Sequence, residues 1–162
     1  MTATNRQIVL KSRPDGWVTP DHFEMREVSV PDIGDGDVLV RALYMSLDPY
    51  MRGRIGTDRP PADRMPLGGP MEARVVGRVA ASRNADFREG DLVFGSLDWA
   101  DYSVAAGGGG LRLLPDARQD GKPVPMWIAT IVSHQLRSRQ RCGTAFPLRS
   151  RPPDHGDGVA FI

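Results

Sequence analysis

A phenol, a carboxylate and two guanidiniums fall within the last seven residues of Leu43-Tyr44-Met45-Ser46-Leu47-Asp48-Pro49-Tyr50-Met51-Arg52-Gly53-Arg54. Tyr50 follows an Asp-Pro turn at the end of an apolar run, Val38–Tyr44. A strand that feeds a proline-anchored turn holds the next side chains in a defined direction, and a scaffold presents a polar group to a ligand in this way. Asp48 and Pro49 are read as shaping the turn. Tyr44 and Met45, at the strand end, are read as packing residues. Two places remain open for Tyr50: a pocket wall, or the core rim with its hydroxyl at the surface.

Other residues with chemical potential do not converge. His22, His134 and His155 are scattered, and Cys142 is the one cysteine. That excludes an internal disulfide and a cysteine-cluster metal site. His134 has no Ser and Asp partners at a recognisable spacing, and Cys142 has no paired histidine nearby. Gly107–Gly110 lacks Gly-x-Gly-x-x-Gly spacing and a helix pattern after it, so it is a loop and not a phosphate cradle. Gly34-x-Gly36 precedes a strand and is a turn. The expectation for metal is none.

The chain has 162 residues, 40% hydrophobic and 25% charged, with a net charge of +1. This balance suits a globular fold and gives no sign of nucleic-acid or membrane partners. No apolar run approaches the roughly 20 residues that span a bilayer. With no disulfide and no leader pattern, cytoplasmic placement is the default. Charge is uneven along the chain. Residues 1–116 carry 14 Lys and Arg against 17 Asp and Glu, and residues 117–162 carry 7 against 3. Such a shift marks a candidate boundary.

The elements that must position Tyr50 read as short strands. Gln7–Lys11 opens the chain, and Phe23–Val28 alternates apolar and charged. Asp32–Asp37 is a turn cluster before Val38–Tyr44, which is apolar enough for a central strand. Residues 56–70, rich in Pro, Gly, Asp and Arg, read as a mobile loop. Ala73–Ser82 is a strand whose Gly77 marks a close backbone approach. Leu92–Gly95, Trp99–Val104 and Leu111–Pro115 follow, separated by turns. Many short strands with turn signals predict a mainly β, barrel-like domain ending near residue 116. Met126–Leu136 reads as one short helix or strand. Disorder is expected from about residue 137, where Arg, Ser and Pro dominate. The arginines there read as a solvated basic tail.

Four segments carry a family resemblance. They are Asn5–Leu10; Leu47–Arg54; Val76-Gly77-Arg78-Val79 with Ser82-Arg83-Asn84 and Phe87; and Gly90–Val93 with Trp99–Tyr102. Over about residues 5–116 the chain resembles the N-terminal, GroES-like domain of the medium-chain dehydrogenase/reductases. Its wording is similar to the zinc-free, NADP-dependent alkenal/alkenone reductases, the group of leukotriene B4 12-hydroxydehydrogenase/prostaglandin reductase. Zinc members carry a Cys after the central strand and a Gly-His-Glu before the Val-Gly strand. Residues 44–48 hold no Cys and residues 68–77 no His, so tetrahedral zinc has no ligand set there.

The resemblance implies a GroES-like, partly open β-barrel with few short helices. It implies hydride transfer from NADPH to the β-carbon of an α,β-unsaturated aldehyde or ketone, with charge developing on the carbonyl oxygen as an enolate. Tyr50 matches a position that lines the substrate pocket, where an O–H donor would stabilise that charge. For Arg52 two readings stay open from the residues themselves: reach to a cofactor phosphate, or an exposed arginine. Family members continue into a Rossmann domain. Residues 117–162 show no strand, Gly-rich loop and helix unit, and a six-stranded doubly wound domain takes on the order of 150 residues. The expectation is therefore a GroES-like domain over 1–116 with a non-family tail over 117–162. A truncated or frame-shifted relative, inactive alone, is one reading. A stand-alone β-domain for binding or assembly is the other. A homo-oligomer remains open.

Overall fold

A computed structural model describes residues 4–114 and 160–161. Eight strands and one short α-helix form the fold: β1 (Thr4–Leu10), β2 (Phe23–Ser29), β3 (Val38–Met45), α1 (Tyr50–Ile55), β4 (Glu72–Ser82), β5 (Leu92–Asp98), β6 (Tyr102–Ala105), β7 (Arg112–Leu113) and β8 (Ala160–Phe161). β1 and β2 make an antiparallel pair. The larger sheet runs β6-β3-β4-β5-β7, with β8 parallel to the end of β3. The mainly β, GroES-like partial barrel is the fold expected from the sequence.

The Val38–Tyr44 run becomes the predicted central strand. β6 covers one edge over Val38–Arg41 and β4 covers the other. Val38, Val40 and Ala42 alternate toward one face and are buried, the period-2 pattern of a strand packed on a core. β4 passes so close behind β3 that Gly77 has no room for a side chain. A Cβ there would lie 2.6 Å from the Arg41 carbonyl oxygen, and it would collide with Val40 Cγ1.

β1 closes the barrel from outside the main sheet. Asn5, 2% exposed, donates from Nδ2 to the Tyr102 carbonyl and accepts at Oδ1 from the Tyr102 N–H, both at 2.9 Å. A side-chain amide thus does the work of a ladder rung between β1 and β6. Isolated bridges from Gln7 to Ala100 and from Val9 to Pro70 continue the seam.

Two differences from the sequence reading bear on the site. The segment after Pro49 is helix, not only turn. Met51 and Ile55, four residues apart, are both buried. Met51 packs in the barrel cluster of Val40, Ala73, Val75 and Val93, and Ile55 packs with Leu10, Met65 and Met71. A six-residue helix has little stability of its own. Burial of two such side chains contributes about 1.5–3 kcal/mol each and offsets that. The 56–70 loop, expected to be mobile, is pinned by Met65: its side chain is buried, and its N–H donates to the Arg54 carbonyl at 2.9 Å.

The expected strand at 99–104 is shorter than read. β5 extends to Asp98, and Trp99–Asp101 turn the corner into β6. The short element expected over 126–136 lies outside the described residues. So does the disorder expected beyond 137, apart from Ala160–Phe161.

Candidate functional site

Tyr50 is the first residue of α1. Pro49 occupies the N-cap at φ −57°, a value its ring favours. The Asp48 carbonyl accepts from the Met51 N–H at 3.1 Å, and Ser46 Oγ donates to Asp48 Oδ2 at 2.6 Å. Asp48 and Pro49 therefore start the helix, and the Asp-Pro pair aims Tyr50 as the sequence suggested. The Tyr50 ring packs against the barrel cluster. Met45 is buried in that cluster, as expected, and Tyr44 is half-buried.

β4 supplies the surroundings. Burial, and then the charge of Glu72, hold the Tyr50 phenol above its ordinary pKa, against the opposing pull of Arg74 and Arg54. The hydroxyl therefore stays protonated and able to donate. Glu72 accepts from Ser96 Oγ at 2.6 Å and from Arg54 Nη1 at 2.9 Å. Burial pushes its carboxyl up, but the Ser96 and Arg54 contacts together outweigh that and hold it below the usual range.

Glu72 also faces Asp98 directly across the β4–β5 ladder. The Asp98 carboxyl is raised by burial and by the Glu72 charge. Glu72 and Arg74 were not legible as neighbours of Tyr50, and Ser96 and Asp98 were not legible as neighbours of Glu72, because the β4–β5 register exists only in the folded sheet. Arg54 had a readable signal: it lies four residues after Tyr50 and so shares its helix face.

Arg52 lies two residues from Tyr50, on a different face of α1. Its Nη2 donates to the Gly16 carbonyl at 2.8 Å, and its Nη1 is buried without a hydrogen-bond partner. The sequence motif put Tyr50 and Arg52 side by side, and the helix separates them. His22 is engaged with Thr19. Among the described residues, no group of three His, Cys, Asp or Glu side chains is placed to hold a metal ion. No helix among them is long and apolar enough to cross a membrane. His134, His155, Cys142 and the basic tail lie outside the described residues.

Residues 6–113 match the family described as the N-terminal domain of oxidoreductase. The chain belongs to this family. The match ends where β7 ends. The resemblance carried by the four sequence segments is therefore borne out: this is the N-terminal domain of the medium-chain reductase type. The chain is 43% identical over 106 residues to the NADPH-dependent curcumin reductase of Escherichia coli (strain K12), covering 64% of this chain and 30% of that protein. It is 34% identical over 122 residues to prostaglandin reductase 1 of Rattus norvegicus, covering 75% and 35%. Among solved structures, this oxidoreductase domain resembles CurA from Vibrio vulnificus, with a TM-score of 0.64 and 36% identity, covering 71% of this chain and 34% of that one. CurA in complex with NADPH gives a TM-score of 0.63. The chain thus spans about a third of the length of these relatives.

Proposed function

We propose that this domain forms the substrate-side wall of an NADPH-dependent reductase that saturates the C=C bond of α,β-unsaturated aldehydes or ketones, with Tyr50 contacting the carbonyl oxygen. The single observation that supports it is the placement of Tyr50. It heads a helix locked at two buried positions, and its surroundings keep its hydroxyl protonated. The relatives named, a curcumin reductase, prostaglandin reductases and a 2-alkenal reductase, are all reductases, and the last is named for an alkenal.

When bound, NADPH would supply the hydride to the β-carbon, the C=C pair moving toward the carbonyl oxygen as an enolate, and solvent would supply the proton that ends on the α-carbon. This chain's own part is electrostatic and positional. As negative charge gathers on the carbonyl oxygen, the Tyr50 O–H donates to it, and a donor held in place beforehand loses nothing to reorganisation. The ring's packing against the barrel core fixes the donor's direction. Arg54, clamped by Glu72, braces the helix. For the cofactor this chain offers Arg52. Its Nη2 is committed to Gly16 and its Nη1 is buried without a hydrogen-bond partner, so the guanidinium would meet an anionic group only once the side chain turns outward. We assign the rest of cofactor binding to the two thirds that the relatives carry beyond the match, and we propose that the chain by itself is inactive, zinc-independent and cytoplasmic.

The test is a chimera in which residues 6–113 replace the matching segment of the E. coli curcumin reductase. The chimera should reduce enones with NADPH, and the chain alone should not. Tyr50→Phe should keep the chimera's fold and lower kcat by about 10²-fold, the usual loss for one oxyanion donor. Unchanged kcat in Tyr50→Phe would remove Tyr50 from this role. Turnover by the chain alone would refute the assignment of cofactor binding elsewhere.

A further inference from the structure

Strand β2 has an open edge. Among the described residues it pairs with β1 alone, and Glu24 to Ser29 are all exposed, with Met25 at 64%. An open edge seven residues long is a template for another strand. We propose that its occupant is a second copy of β2, paired antiparallel about a two-fold axis at Met25.

The register follows from geometry. In an antiparallel pair, opposed residues either both turn their N–H and C=O toward the partner or both turn them away. Along one strand the outward residues alternate. When the partner is the same strand, opposed residues must therefore have numbers of the same parity, and the axis passes through a residue and never between two. The exposed positions Glu24 to Val28 are available for the axis. An axis at Glu24, Arg26 or Glu27 sets a charge directly against its own copy, which destabilises the pair. One at Val28 opposes an apolar residue to itself, but it sets Arg26 against Val30 and Glu27 against Ser29 and leaves the charges without a complement. An axis at Met25 also sets an exposed apolar side chain against itself.

That same register brings Glu24 opposite Arg26 of the partner subunit, and Arg26 opposite the partner's Glu24. Within one chain, Arg26 Nη2 already donates to Glu24 Oε2 at 3.0 Å. The two chains would complete a ring of four alternating charges on one face of the joined sheet. Charges on an edge strand ordinarily keep other strands away. Here the order Glu-Met-Arg complements this register and repels those centred on Glu24, Arg26 or Glu27. Exposed ion pairs contribute little each, so the dimer is expected to be concentration-dependent and weakened by salt.

Cysteine placement in the full chain tests the register, in a Cys142→Ser background. Opposed Cα atoms lie about 4.5–5.5 Å apart, within disulfide range. Under mild thiol oxidant, Met25→Cys should give cross-linked dimer as the main product. Glu24→Cys and Arg26→Cys should each stay monomeric, yet cross-link when mixed. In light scattering, Arg26→Glu should shift the mass to monomer, and Glu24→Arg with Arg26→Glu should restore the dimer. A chain that stays monomeric at every concentration overturns the proposal. So does self-cross-linking of Arg26→Cys equal to that of Met25→Cys, which would place the axis elsewhere.

Discussion

Arg54 Nη1 donates to Glu72 Oε2 at 2.9 Å, and this one bond ties the last turn of α1 to the first residue of β4. Tyr50 lies one turn earlier on the same helix face. The helix that carries it is therefore held by a contact between residues 18 apart in the chain.

Breaking that tie should cost little stability but change its pH dependence. Both side chains are partly exposed, so Glu72→Gln should lose roughly 0.2–1 kcal/mol near neutrality. The folded pKa of Glu72 lies below its ordinary value. Its contribution is then fully present above the ordinary glutamate range and is lost as pH falls through the lowered folded value. Urea midpoints measured from neutral to acidic pH should fall more steeply for the native chain than for Glu72→Gln. Parallel curves would contradict the pairing.

Asp98 carries the opposite sign. Its folded pKa is raised, so the ionised carboxylate opposes folding above that value, and the penalty disappears as pH falls below the ordinary range. Asp98→Asn should therefore stabilise the domain at neutral pH by a few tenths of a kcal/mol, about the scale of an opposed like-charge pair in a sheet. The gain should shrink when Glu72→Gln is already present. An equal gain in both backgrounds would show that the two carboxylates do not interact.

Gly77→Ala should be the most damaging small change in the barrel. The added methyl meets the Arg41 backbone and the Val40 side chain, and neither yields without moving β3 relative to β4. A loss on the order of 4 kcal/mol or failure to fold is expected. Chemical denaturation or recovery of soluble protein would measure it, and a loss under about 1 kcal/mol, the size of an ordinary substitution, would mean that the strands are not so close.

Asn5→Leu should loosen β1 from the barrel. The substitution leaves the Tyr102 N–H and C=O without their partners in a buried place, at roughly 1–3 kcal/mol for each orphaned group. Hydrogen exchange should speed at the Tyr102 amide ahead of the amides in β4. Exchange at Tyr102 as slow as in the native chain would show that another group has taken over the bond.

The legible parts of this fold are those with a local cause. Alternation in Phe23–Ser29 and the unbroken apolar run from Val38 mark their strands without any partner being known. Gly77 signals a close approach because only glycine tolerates one. Helix α1 had a readable cue too, in Met51 and Ile55 four residues apart. The cue was hidden because the segment is short, contains Gly53, and draws its stability from two separate clusters. The pinned 56–70 loop was not legible, since its composition is that of a loop. What holds it is the burial of Met65, which a local window does not report.

Alone, the sequence determined the strand pattern, the Asp-Pro turn that aims Tyr50, the four segments that mark the family, and a reciprocal charge order along β2. Those features arise from neighbours in the chain, through backbone sterics and side-chain period. Tertiary structure brought Glu72 near Tyr50 and decided which residues stand beside Glu72. Glu72, Ser96 and Asp98 come from two strands, and their meeting depends on the β4–β5 register. It also separated Tyr50 from Arg52, because the 100° step of a helix turns residues two apart to different faces. Charge interactions fall off over a few ångströms in space, and that spacing exists only once the strands have paired.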